Sequence, residues 1–162
     1  MTQTMNFIAS DHPIPASLRP VLDRLLDLMI PASADGRMPS AGALDLYADR
    51  ERLGDAQIAT LCAGLRGLEA LARERVGRDF AELDSAAATA IVDEYRNVAP
   101  QFFGVFVTQS AARYYQHDQV VTALGLEPRA PWPEGNEIPD GDWSLLDPVR
   151  ERAGVHGKLY RE

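Results

Sequence analysis

Apolar residues recur at helical spacing through most of the chain before residue 125, and this pattern favours a fold built from helices. The first apolar stripe follows the spacing i, i+3, i+4, i+7, i+8 and i+11, and consists of Leu18, Val21, Leu22, Leu25, Leu26 and Met29. Such spacing places all of these side chains on one face of a helix. Ser17 is suited to cap the N-terminus of this helix, Pro20 is tolerated in its first turn, and Ile30-Pro31 ends it.

Five further segments have helical character. The first runs from Ala41 to Asp49 with Leu44 and Tyr47 inward, and the second runs from an Asp55 N-cap to Gly77. The third runs from an Asp84 or Ser85 cap through Tyr95, and the fifth runs from Asp118 to Leu124 with Gly125 as a left-handed cap. The fourth begins at Pro100 and carries a bulky stripe, namely Phe102, Phe103, Phe106, Val107, Ala111, Tyr114 and Tyr115. Gly64 and Gly67 lie inside the second of these segments, where we expect them to allow close packing. Cys62 lies on its apolar stripe with no cationic neighbour expected on that face, which indicates a buried hydrophobe rather than a reactive thiol.

The composition changes after Gly125. Five of the eleven prolines and both tryptophans lie in this last part of the chain. We expect no helix over 127–142 and only a turn or two over 144–152. Since strand alternation is not evident, the predicted fold is all-α: a small helical bundle over 17–125, preceded by an N-terminal extension (1–16) and followed by an extended Pro/Trp-rich C-terminal arm (126–162).

Length and charge exclude several classes of protein. With 162 residues, 46% of them hydrophobic, the chain can form a single domain with its own core. Its 16 basic and 24 acidic residues give a net charge of −8, which disfavours nucleic acid and anionic lipid as partners. The single cysteine excludes an internal disulfide framework.

No targeting or membrane signal is evident either. No apolar run approaches the roughly 20 residues that span a bilayer, and no secretory or twin-arginine signal precedes Arg19. We therefore expect a soluble protein without membrane insertion, located in the cytoplasm, or in the periplasm if a partner exports it.

Candidate catalytic residues are few. His12, His117 and His156 are scattered, and the chain contains no zinc-binding histidine pair, nucleophile elbow or glycine-rich phosphate loop. We expect no metal, catalytic or cofactor site in this chain. The alternative is a small stand-alone enzyme that uses His117 with Tyr114 and Asp118.

The arm carries many large apolar side chains, namely Trp132, Trp143, Leu145, Leu146, Val149 and Tyr160. Exposure of these side chains to water would be unfavourable, so the arm either folds back over the bundle or forms a surface for a partner. The residues themselves leave both readings open.

Several short motifs resemble the gluconate 2-dehydrogenase subunit 3 family. They are Met29-Ile30-Pro31-Ala32, Phe102-Phe103 followed by the run 114–125 that ends in Ala-Leu-Gly, Pro131-Trp132-Pro133-Glu134-Gly135 with Ile138-Pro139, Leu145-Leu146-Asp147-Pro148-Val149-Arg150, and Tyr160-Arg161. The order and spacing of these motifs, more than any single one, carry the resemblance.

The resemblance implies a small non-catalytic subunit that binds and stabilises, or chaperones, a large FAD-dependent dehydrogenase of the glucose-methanol-choline type. That large subunit would hold the FAD and oxidise a sugar, a sugar acid or another alcohol, often with a cytochrome c subunit as electron acceptor. Exported members carry a twin-arginine signal, which this sequence lacks. A free-standing helical binding protein is a further alternative.

On this basis we expect ten residues to bind the partner: Tyr114, Tyr115, His117, Trp132, Pro133, Trp143, Leu146, Arg150, Tyr160 and Arg161. The anchors would be Trp132, Trp143 and Tyr160. Arg150 and Arg161 would donate hydrogen bonds to carboxylates or carbonyls of the partner. We expect the acidic charge of the chain to lie on the surface turned away from it.

Overall fold

The computed structural model describes residues 12–49, 53–129, 135 and 140–156, and for residues 153–156 it describes the backbone alone. The chain divides into two compact units, Met1–Pro128 and Arg129–Glu162.

The first unit contains five α-helices in its described part. They are α1 (Arg19–Met29), α2 (Asp55–Val76), α3 (Ser85–Val98), α4 (Pro100–Tyr115) and α5 (Asp118–Ala123), with a 3₁₀ turn at Phe80–Glu82 between α2 and α3. No strand occurs among the described residues, so the all-α prediction is confirmed.

Local sequence explains most helix ends. The Asp84 carboxylate accepts a hydrogen bond from the Ala87 N–H at 2.8 Å and caps α3, as predicted. Gly77 and Gly125 both adopt a left-handed φ, +72° and +78°, where a side chain would be strained. After α5 the N–H groups of Gly125 and Leu126 bond back into the last turn, which is the Schellman arrangement expected of a C-terminal glycine.

Two predicted caps are wrong by one residue. The residue before α1 is Leu18 rather than Ser17, and no side chain caps that end. The residue before α2 is Gly54 rather than Asp55, and its N–H donates to Gln57 Oε1 at 3.0 Å. The Gln57 side chain thus bonds the N–H group of the N-cap residue itself, as the third helical residue does in a capping box.

The predicted helix over 41–49 is also wrong, although Leu44 and Tyr47 are buried as expected. The segment forms separate turns because its backbone bonds elsewhere: Gly42 N–H donates to the Asp27 carboxylate on α1 at 2.9 Å. A Cβ at Gly42 would collide with α1, so the close approach requires glycine. Forming the first turn of a short helix costs free energy, and the hydrogen bond from Gly42 to Asp27 favours the turns over that helix.

The core is organised around aromatic side chains of α3 and α4. The Phe102 ring stacks on Phe106 at 5.6 Å between centroids and meets Phe103 edge-on at 5.1 Å. A Cβ at Gly64 would overlap the Phe102 ring, and one at Gly67 would overlap the Tyr95 hydroxyl. The prediction that this glycine pair serves close packing is therefore confirmed.

The long loop before α2 and the residues before α1 join the same core. Ile14, in the predicted N-terminal extension, is fully buried. His12 holds this segment on the loop, with its Nε2 at 2.9 Å from the Asp45 carboxylate and its Nδ1 at 3.0 Å from the Ile14 N–H. Cys62 is buried, and burial raises the pKa of its thiol. The expectation of no cationic neighbour was wrong, because Arg66, one turn later, acts on this pKa in the opposite direction.

In the second unit, a 3₁₀ turn at Trp143–Leu146 leads into α6 (Asp147–His156). The Asp142 carboxylate accepts from the Ser144 N–H at 3.0 Å and begins this element. The helical element is longer than the turn or two predicted over 144–152. In the described part of the chain, no helix is both long enough and apolar enough to cross a membrane.

Candidate interaction surface

Helix α4, up to its last turn, lies within a run of the chain that carries no charge. No Asp, Glu, Lys or Arg occurs from Asn97 to Ala112, although a quarter of the residues of the whole chain are charged. One face of α4 packs on the core and the other is exposed. The exposed positions of α4 before Arg113 are Pro100, Gln101, Gly104, Val105, Val107, Thr108 and Ala112. Val105 is 53% exposed and Val107 is 45% exposed, so apolar side chains stand in water on this uncharged face.

An open groove of about 460 Å³ lies between α2, α4 and the loop before α2, and we call it the α2–α4 groove. Its buried lining consists of Tyr47, Leu53, Leu61, Phe102 and Phe106. Its exposed or half-buried lining consists of Ala56, Gln57, Thr60, Val105 and Gln109. The groove therefore has an apolar floor and a rim of small or uncharged side chains, and its size is that of a typical ligand cleft.

The polar group in the floor is already bonded inside the protein. The Tyr47 hydroxyl and the buried Ser110 hydroxyl hydrogen-bond to each other at 2.7 Å. The Arg113 guanidinium lies 5.0 Å from the centre of the Tyr47 ring and donates to the Leu46 carbonyl at 3.3 Å. Burial raises the pKa of Tyr47, against smaller opposing effects of Ser110 and Arg113. These contacts fix the Tyr47 ring as a rigid wall of the groove.

Two polar side chains at the rim are engaged within α2 or at its N-terminus. The Thr60 hydroxyl donates to the Ala56 carbonyl at 2.8 Å, and Gln57 Oε1 accepts from the Gly54 N–H at 3.0 Å. A ligand that needs charged groups or hydrogen-bond donors would find few in this part of the groove.

The other side of α4 borders a smaller pocket of about 200 Å³, formed with α1 and α3. Leu25, Val92 and Val107 line it, and Arg96 contributes a charged side chain. The exposed ridge of α4 thus stands between two depressions, and among the described residues only the lining of the α2–α4 groove is uncharged.

The residues of the enzyme alternative do not form one site. His117 and Asp118 line a polar pocket of about 250 Å³ together with Asp45, Asp49 and Arg113. Tyr114 does not line it. The Tyr114 side chain is 1% exposed, and its hydroxyl donates to the Pro39 carbonyl at 2.8 Å.

His117 has a local structural role. Its Nδ1 accepts from the Gln119 N–H at 3.3 Å at the start of α5. Among the residues that the structure describes, no group of three His, Cys, Asp or Glu side chains is placed to hold a metal ion.

The predicted partner-binding residues of the first unit differ in exposure. Tyr114 is a core residue, so its side chain has no surface to offer a partner, and its assignment to an interface is corrected. Tyr115 is 58% exposed and meets the Tyr114 ring edge-on at 5.2 Å. Val107 and Tyr115, which belong to the bulky stripe predicted for α4, are exposed, unlike Phe102, Phe103, Phe106 and Tyr114 of the same stripe.

In the second unit Trp143 is 68% exposed, and Leu146 is exposed. Arg150 pairs with Asp147 one turn earlier at 3.2 Å. Trp132, Pro133, Tyr160 and Arg161 lie outside the described residues. The predicted role of all these arm residues in binding a partner stays a prediction.

Sequence reasoning missed the surface formed by α2 and α4. The signal was present in the uncharged run 97–112, but its meaning depends on knowing that one face of α4 is exposed. The prediction concentrated on tryptophans and arginines of the arm, while the structure adds Val105, Thr60 and the groove beside them.

A sequence model of one family, described as gluconate 2-dehydrogenase subunit 3, matches residues 17–127. No curated protein and no solved structure matches the chain significantly. The matched region includes α1 to α5 and the α2–α4 groove, and stops before the motifs of the arm that resemble the same family. Because the match covers more than half of its length, the chain belongs to the gluconate 2-dehydrogenase subunit 3 family.

Proposed function

We propose that this chain is a non-catalytic subunit that binds and stabilises a large FAD-dependent dehydrogenase, which oxidises a sugar, a sugar acid or another alcohol. The FAD would be held by that large subunit and not by this chain. Membership of a family of dehydrogenase subunits supports the proposal.

One structural observation carries it, namely the exposed, uncharged face of α4 beside an apolar groove. The cores of stable protein–protein interfaces are depleted of charged residues and enriched in apolar ones. In a chain with a net charge of −8, a surface whose described residues before Arg113 carry no charge is well suited to be buried against another protein. Interfaces of permanent complexes commonly bury about 2,000 Å² or more, so α4 would form part of a larger contact.

The exposed apolar side chains of the arm are candidates for the rest of that contact. Trp143 and Leu146 are the described members. A cytochrome c subunit would complete the electron-transfer chain of the assembly, and we assign no residue of this chain to it.

Co-expression tests the proposal. The tagged chain is produced together with the product of its adjacent gene, provided that this product carries a G-x-G-x-x-G nucleotide-binding motif, and the two are purified through the tag. We expect a stable complex that contains flavin, whereas the chain produced alone is colourless. A monomeric preparation of this chain that is yellow and oxidises an alcohol by itself would refute the proposal.

The stabilising role has a separate measurement. The large subunit is purified with and without this chain, and its thermal unfolding is followed by flavin fluorescence. We expect a lower midpoint without this chain, because a partner that binds only the folded state stabilises it by mass action. Equal midpoints would restrict the role to assembly.

A further inference from the structure

We infer that the α2–α4 groove receives a large apolar side chain, aromatic or leucine, carried by a helix of the large subunit. The inference rests on the proposed function and names the contact by which the two chains would recognise each other.

The chemistry of the lining selects an apolar occupant. The floor is formed by leucine and phenylalanine side chains, and the Tyr47 hydroxyl is engaged by Ser110. The Thr60 hydroxyl donates to its own helix. A sugar or a nucleotide would lose most of its hydrogen bonds to water in such a groove and would meet chiefly the side-chain amides of Gln57 and Gln109 at the rim, while an apolar side chain would gain from burial.

The rim allows a helix to approach. Ala56 and Thr60 lie one turn apart on α2, and both are small and exposed. Small side chains let the axes of packed helices come close, at about 8–10 Å. A partner helix laid along α2 and α4 could therefore place one large side chain in the groove while its backbone stays near the rim. Energetic hot spots of interfaces are anchors of this kind, set in well-packed pockets.

Charge favours a different protein over a second copy of this chain. Each copy carries a net charge of −8, so self-association would bring two like-charged molecules together. The described lining of the groove supplies no charge to offset that repulsion, because none of the described residues that line it is Asp, Glu, Lys or Arg.

The first arm of the test measures assembly with the large subunit. Thr60→Arg places a long cation at the rim, and Ala70→Arg adds the same side chain to an exposed position of α2 that does not line the groove. We expect Thr60→Arg to weaken binding at least tenfold and Ala70→Arg to change it less than twofold, measured by titration of the purified subunits. Equal affinities for wild type and Thr60→Arg would overturn the inference and leave the proposed function intact.

The second arm uses the isolated chain and does not depend on any partner. N-acetyl-L-tryptophanamide is titrated into it while the methyl resonances of Leu61 and Val105 are followed by nuclear magnetic resonance. We expect saturable shifts at these methyls that Thr60→Arg reduces and Ala70→Arg leaves unchanged. Shifts spread over the surface, or none, would overturn the assignment of an apolar occupant.

Light scattering on the isolated chain addresses the competing occupant. We expect a monomer for wild type and for both variants. A dimer that Thr60→Arg dissociates would assign the groove to a second copy and overturn the inference. If no complex with the large subunit forms, the proposed function is refuted, and with it the choice of partner. This holds even if the groove binds the tryptophan amide.

Discussion

Two glycines inside helices offer a sharp test of how α2 packs on α4. A Cβ at Gly64 of α2 would overlap the Phe102 ring, whereas a Cβ at Gly104 of α4 would meet no atom within 4 Å. Replacing a helical glycine by alanine stabilises a helix by about 0.5–1 kcal/mol when nothing obstructs the new methyl group. Gly104→Ala should therefore raise the free energy of unfolding by about that amount.

Gly64→Ala gains the same propensity but must displace the Phe102 ring. That ring is held between Phe103 and Phe106, with centroids at 5.1 and 5.6 Å, so it cannot move without disturbing both. Overpacking of this kind costs about 1–3 kcal/mol. The net expectation for Gly64→Ala is a loss of up to about 2.5 kcal/mol, centred on about 1 kcal/mol and opposite in sign to the effect of Gly104→Ala.

Urea unfolding followed by far-ultraviolet circular dichroism measures both variants under the same conditions. A lower midpoint for Gly64→Ala and a higher midpoint for Gly104→Ala are expected, with a few degrees of separation in thermal unfolding. The double variant Gly64→Ala/Phe102→Leu should lose less than the sum of the single changes, because the smaller side chain makes room for the methyl group. A Gly64→Ala protein as stable as wild type would refute the close packing of α2 against the aromatic cluster.

Further expectations concern buried polar groups, titration, thiol reactivity and the arm. Tyr47→Phe should lower the free energy of unfolding by about 1–3 kcal/mol, because it leaves the buried Ser110 hydroxyl without its hydrogen bond to Tyr47. Adding Ser110→Ala should recover part of that loss, and urea unfolding of the wild type, the two single variants and the double variant measures it as a double-mutant cycle. Asp23→Asn should stabilise the fold at neutral pH. Burial, and then two neighbouring carboxylates, raise the pKa of Asp23, so the contribution of Asp23 to stability is lost as the pH rises through that pKa. The gain in the free energy of unfolding, about 0.5 kcal/mol or less after screening by water, should vanish below about pH 3.8, and an undiminished gain at that pH would contradict this cause. Cys62 should react with a thiol reagent only at the rate of unfolding, because burial both hides it and raises its pKa, and rapid reaction in the native state would contradict the placement of α2. Trp143→Ala should weaken assembly with the large subunit and leave the circular dichroism unchanged, while a loss of helicity would indicate that this side chain serves folding instead.

The helices could be predicted well where one face of the helix is apolar and the opposite face is polar. The stripe of α1 has charged neighbours on its other face, and its predicted and observed extents agree closely. The left-handed caps at Gly77 and Gly125 also follow from local chemistry alone. The loop over 41–49 was mispredicted because its conformation depends on a bond between Gly42 and Asp27, which no local pattern reveals.

The interaction surface illustrates a different limit. Nearly all residues of α4 are apolar or uncharged, so their spacing does not separate an inner from an outer face. Val107 and Tyr115 were accordingly grouped in one bulky stripe with Phe102 and Phe106, although the first two are exposed and the last two are buried. The groove itself depends on which distant residues meet, since Tyr47 and Leu61 come together only in the folded chain.

Hydrogen–deuterium exchange of the chain, free and bound to the large FAD-dependent subunit, tests most directly whether this chain docks through α2 and α4. The two segments to compare are 56–65 and 97–112, which border the α2–α4 groove and carry no charge. Slower exchange in both segments on binding, with the exposed charged end of α2 around Arg75 unchanged, is the predicted result. Formation of the complex with no change in exchange at either segment would contradict the account.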